Sequence, residues 1–174
     1  MRYGKLLFGI AFAVLAVVTA NVLYVTWPAH AAKAADPRNE SVSMFAHLRW
    51  GIDPTTVVID LWDLSPTASM ADVDRTMLDM AAALKGRPFT TAQLAYRGAK
   101  KFQMRGDYFR QLGEERDWQN PLYTIRTMPS HLLDSSGMPA FGTWSGGLLG
   151  VMGQQMEDHQ NLHRKWYLEA MFGS

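Results

Sequence analysis

Two histidines at positions 159 and 163 lie four residues apart, a spacing that brings both imidazoles onto one face of a helix, as in helices that hold zinc. The surrounding stripe Leu149, Met152, Met156, His159, His163, Trp166 and Ala170 supplies thioethers as well, and thioether with imidazole suits copper better than zinc. His159 and His163 are therefore the candidate metal ligands. Against that reading, the segment HQNLH lacks the glutamate of H-E-x-x-H, and a methionine and tryptophan stripe is what any docked amphipathic helix carries. Histidines near the end of such a helix are expected at the rim of a core, with no bound cofactor. On that view, replacing both by Gln leaves metal content unchanged.

A second group is Asp60 and Asp63 near the end of an apolar run, with Asp72 and Asp74 beyond. Carboxylates at the C-terminal end of a strand are where open sheets place ligands, and paired ones hold Mg²⁺ or exchange protons. Asp72 and Asp74, however, fall in a first helical turn, where acids answer the helix dipole. Ser130, His131 and Asp134 have the residue types of a triad but no nucleophile elbow. The glycine-rich GTWSGGLLGVMG, residues 142–153, matches neither phosphate-binding motif. Its Gly146, Gly150 and Gly153 read instead as allowing close packing of a helix start. Cations from Arg97 to Arg116 interleave with Tyr96, Phe102, Tyr108 and Phe109, but Glu114, Glu115 and Asp117 follow at once, so the strip reads as a solvated face.

These residues need a scaffold. Residues 56–64, TVVIDLWDL, form the strongest strand, β-branched and nearly continuous in apolar character. Ser69 with Asp72 resembles a capping box, and Met70, Val73, Met77, Met80 and Leu84 line one face of the helix that follows, which Gly86 and Pro88 close. Residues 89–97 and 100–105 read as a hairpin around Gly98, residues 108–112 as a short helix ended by Gly113, and residues 122–128 as a fourth strand. Residues 41–50 suggest a short helix, and a long helix runs from about 148 to 172. The expected fold is an α+β or α/β two-layer sandwich with a mixed sheet of about four strands, and a core of Val58, Ile59, Leu61, Met77, Met80, Leu84, Leu94 and Ile125.

Ahead of this stands an apolar, uncharged run, residues 6–27, preceded by Arg2 and Lys5. It is long enough to cross a bilayer, and Tyr24 and Trp27 sit where an aromatic belt meets the far interface. Ala29-His30-Ala31 and Ala32-Lys33-Ala34 also fit signal cleavage sites. The chain therefore divides into a transmembrane signal-anchor (1–27), a flexible tether (28–40) and one globular α+β domain (41–174). The Arg2 and Lys5 pair favours an N-terminus inside, which puts the domain on the periplasmic side of a bacterial-type inner membrane.

The chain has no cysteine, which removes disulfides, thiolate metal sites, cysteine nucleophiles and acylated-cysteine anchoring. Without Arg2, Lys5 and Lys33, 14 cations stand against 16 acids, a balance that gives no reason to expect nucleic acid. The reading is a membrane-anchored, non-catalytic accessory domain of an envelope complex, partnered by another protein or by itself. A metal-binding or hydrolytic enzyme built on His159, His163 and the Asp60/Asp63 region is the alternative, and a soluble binding protein released by signal cleavage is the second.

Overall fold

In a computed structural model of the chain the backbone is described for residues 2–173, and side chains for all of these except residues 2–8, Ile10 and Leu148. The side chains of Arg2 and Lys5, on which the expected orientation rests, lie outside that set.

Helix α1 (Arg2–Asn21) passes through a π-helical turn (Val22–Thr26) into α2 (Trp27–Ala35). The stretch Ala11–Ala35 is long and apolar enough to span a membrane, and the side chains of Phe12, Leu15 and Val18 are exposed. The segment expected to be a flexible tether is instead helical and docked. Alanines favour helix, and burying Ala29 beside Val25 in the core holds it in place. Asn39, fully buried, completes the attachment: its amide donates to Asp79 (2.8 Å) and accepts from Thr76 (3.1 Å) and Arg75 (3.2 Å).

A four-stranded mixed sheet follows, in the order β1 (Val42–Arg49), β2 (Asp53–Leu64), β3 (Thr91–Tyr96), β4 (Ala99–Arg105). The outer pairs are antiparallel and the β2–β3 pair is parallel. The first strand replaces the short helix expected over 41–50. Val42, Met44, Ala46 and Leu48 are buried while Ser43, Phe45, His47 and Arg49 point the other way, the period of two that defines a half-covered strand. Central β2 buries Val57 through Leu61 without a break.

Helix α3 (Met70–Leu84) is the crossover between the parallel strands. Its expected capping box is present: Asp72 N–H donates to Ser69 Oγ (3.3 Å) and Ser69 N–H to the Asp72 carboxylate (2.8 Å). Helix α4 (Gly106–Glu115) runs through Gly113 rather than stopping there, because the missing side chain lets it lie against α3. A Cβ on Gly113 would stand 2.4 Å from the Ala81 carbonyl oxygen. The fourth strand expected over 122–128 is helix α5 (Pro121–Thr127), started by Asn120 accepting from Leu122 N–H (3.0 Å) with proline in the first turn.

The C-terminal helix runs as α6 (Leu148–His163), a π-helical turn (Arg164–Leu168) and α7 (Glu169–Phe172). Gly146, Gly150 and Gly153 do not serve close packing, since a Cβ at each would meet nothing within 4 Å. The core holds Ile59, Leu61, Met77, Met80, Leu84 and Leu94, with Ile125 packed at its edge.

Candidate functional site

The capping box starts α3 at a phase that buries Val73, Asp74, Met77, Leu78 and Ala81 together. Asp74 is thus one carboxylate in an otherwise apolar patch. The C-terminal helix lies opposite and sets both histidines against it: His159 Nε2 is 2.8 Å from Asp74 Oδ2, and His163 Nε2 is 3.1 Å from Asp74 Oδ1. The two Nε2 atoms are 3.1 Å apart. Asp74 is 2% exposed, His159 4% and His163 0%, so the histidines are inside the core and not at its rim.

The π-helical turn that begins at Arg164 supports this cluster. It carries Tyr167, whose hydroxyl is 2.9 Å from His163 Nδ1, and Trp166, whose indole N–H donates to the Ala95 carbonyl (2.8 Å) at the irregular step between β3 and β4. Insertions of this kind recur at functional sites because they turn side chains a regular helix would point elsewhere. Burial pushes the Tyr167 phenol above its ordinary value, so it stays neutral. Burial also pushes the Asp74 carboxyl up, but the hydrogen bonds from His159 and His163 outweigh it and hold the group below the usual carboxylate range.

An ionised Asp74 leaves the cluster with no consistent set of protons. Each imidazole must carry hydrogen on Nε2 to bond the carboxylate, and the two N–H groups then face each other across 3.1 Å. Removing one of them sets a nitrogen lone pair against a carboxylate oxygen. A cation among the three resolves every contact; so does a proton on Asp74 Oδ1 donated to His163 Nε2, with His159 Nε2–H donating to Oδ2. One ligand atom from each residue lies within 4.8 Å of the others. The close spacings of 2.8–3.1 Å would subtend about 85–100° at an ion bonded at about 2.0–2.1 Å, tighter than the roughly 3.3 Å between ligands of a regular tetrahedral zinc site. His159 Nδ1 is buried with no hydrogen-bond partner among the described residues. A cavity of about 240 Å³ reaches Asp74 past Arg38, Arg75, Leu78, Arg116, Pro121 and Ile125.

The other candidates stay apart. Asp60 is buried on the opposite face of the sheet, accepting from Trp62 Nε1 (3.0 Å) and Gly98 N–H (3.0 Å), with His47 Nε2 3.8 Å away. Asp63 is exposed beside Arg97. His131 stacks on Tyr108 with ring centroids 3.8 Å apart, Ser130 Oγ donates to the Thr127 carbonyl, and Asp134 accepts from Ser136, so these three form no triad. Asp72 is spent on the helix cap and Arg75. Four arginines of the basic strip meet acids, Arg97 with Asp63, Arg105 with Asp107, Arg110 with Glu114 and Arg116 with Asp79. Sequence reasoning weighs Asp74 and sets it aside as a dipole partner in the first helical turn; the signal that points inward is its place beside Val73, Met77 and Leu78 on a buried face.

No protein family, no curated protein and no solved structure is significantly similar to the chain.

Proposed function

We propose that the chain is a membrane-anchored accessory domain of the bacterial-type envelope, facing the periplasm, that binds one divalent transition metal ion through Asp74, His159 and His163. The observation that carries this reading is the convergence of three buried ligand groups within reach of one ion, whose close contacts cannot all be hydrogen bonds while Asp74 is ionised. Two imidazoles and a carboxylate make a borderline donor set, suited to zinc first. Tyr167 would accept from His163 Nδ1–H and fix that ring's tautomer, the usual outer partner of a ligating histidine. Burial of all three ligands favours a held, non-catalytic ion over a hydrolytic centre, which keeps a position open to substrate.

The anchor reading gains from the docked helix. Cleavage after Ala31 or Ala34 would remove Val25 and Ala29, both wholly buried in the domain core. A released soluble form would therefore lack part of its own interior. Exposed Trp118, Leu122 and Tyr123 around the start of α5 offer an apolar face for a protein partner.

Metal content of the purified full-length chain, after dialysis against zinc and then against metal-free buffer, tests the site. One equivalent is expected, lost when His159 and His163 are both replaced by Gln and kept when His131 is. Absence of bound metal, or an equivalent that survives the double replacement, overturns it.

A further inference from the structure

On the reading that α1 spans the bilayer, we infer that the domain sits directly on the lipid surface and that the β1–β2 turn, led by Trp50 and Ile52, inserts at the headgroup level beside the anchor. Helix α1 has 20 residues from Arg2 to Asn21. If the cations Arg2 and Lys5 remain at the far interface, residues 6–21 supply only about 24 Å of rise to a hydrocarbon core of roughly 30 Å. No slack follows, because the helix is bound to the domain from Asn21 onward.

The attachment points identify which end of the domain meets the lipid. Asn21 Oδ1 accepts from Leu48 N–H (2.9 Å), near the end of β1, so the turn just beyond it lies on the side from which the anchor leaves. Arg87, just past α3, donates to the Tyr24 carbonyl (2.6 Å), which puts the α3–β3 connection at the same end. A short span therefore draws both segments into the interface.

Their chemistry fits that position. Trp50 is 75% exposed and Ile52 63%. Trp50 also holds φ +54°, a left-handed conformation that is costly for a bulky residue and that Asn or Gly would adopt freely. The Arg49 guanidinium stacks 3.9 Å from the Trp50 ring, and Arg87 lies 5.0 Å from the Tyr24 ring. Tryptophan and tyrosine rings beside arginine, with Lys85 nearby at the end of α3, form the belt that settles between acyl chains and anionic headgroups.

The absence of cysteine allows clean single-site labelling. Nitroxides would be placed separately at Trp50→Cys, Ile52→Cys, Leu15→Cys and Trp118→Cys in the full chain, reconstituted in phosphatidylethanolamine and phosphatidylglycerol vesicles. Collision rates with oxygen and with a water-soluble nickel chelate are then compared. Labels at 50 and 52 are expected to exclude nickel severalfold more than the label at 118, as the label at 15 does. Lipid exposure at 15 with water exposure at 50 and 52 overturns this inference and leaves the anchor standing. Water exposure at 15 overturns the anchor, and the inference falls with it.

Discussion

Replacing Asp74 by Asn separates a metal centre from a buried ion pair, because the two predict opposite behaviour of the metal-free protein. An asparagine at 74 can donate from Nδ2 to one bare Nε2 and accept at Oδ1 from the other, and that second N–H also faces a lone pair. All three close contacts of 2.8–3.1 Å become hydrogen bonds, and the buried charge is gone. With a chelator present, the variant is therefore expected within about 1 kcal/mol of the parent. A structural ion pair would instead lose about 3–5 kcal/mol when one buried partner is removed. Zinc reverses the comparison. At a free concentration 100 times Kd the parent should gain about 2.7 kcal/mol. For a domain of this size that is a Tm rise of roughly 8 °C. The amide ligates zinc weakly, so the variant should gain almost nothing. Thermal and guanidinium unfolding of the full chain in micelles, with chelator and with zinc, reads both quantities. A loss of 3 kcal/mol or more in chelator, with no zinc response in the parent, refutes the metal site.

Two further expectations concern packing and pH. Gly113→Ala gains about 1 kcal/mol of helix propensity but drives a Cβ to 2.4 Å from the Ala81 carbonyl, so a net loss of about 1–2 kcal/mol is expected; a raised denaturation midpoint would mean that α3 and α4 have room to spare. The Asp60 carboxylate 3.8 Å from His47 raises that imidazole's pKa, so His47 favours the folded state below its ordinary value near 6.5 and this contribution fades as pH climbs through the raised folded value. Asp60→Asn should return the NMR titration midpoint of His47 towards 6.5, and an unmoved midpoint would show that Asp60 is not the cause.

How much of this could be read from the chain depends on how local each signal is. Helix α3 was fully legible: its cap, its apolar stripe and its end are set within 20 residues of sequence. The parallel pairing of β2 with β3 follows from a strand, a crossover helix and a second strand. Residues 41–50 misled because Met44, Phe45 and Leu48 fit a helical period as well as an alternating one, and only the partner strand decides between them. Residues 122–128 misled in the other direction, since Leu122 and Ile125 drew more weight than Asn120-Pro121, which starts a helix. At the site, the i, i+4 histidines and Asp74 were each visible, but their convergence was not. Asp74 lies 85 and 89 residues away in sequence, and an acid in a first turn is usually there for the dipole.

Helix α3 also fixes how the two proposed sites stand relative to the membrane. Its C-terminal end leads to Arg87, which holds the N-terminal apolar helix at Tyr24, while its first turns carry Asp74. The ten residues from Asp74 to Leu84 span about 15 Å of rise, so the proposed metal site would lie about that far along the helix from the end proposed to face the lipid. Asn39, at the far end of the docked anchor segment, bonds Arg75 and Thr76 in the turn next to Asp74. The segment proposed to seat the domain on the bilayer therefore also braces the helix that would supply the carboxylate ligand. A metal ion at Asp74 would tie α3 to the C-terminal helix, and the chain would then be cross-braced from the bilayer through α2 and α3 to α6.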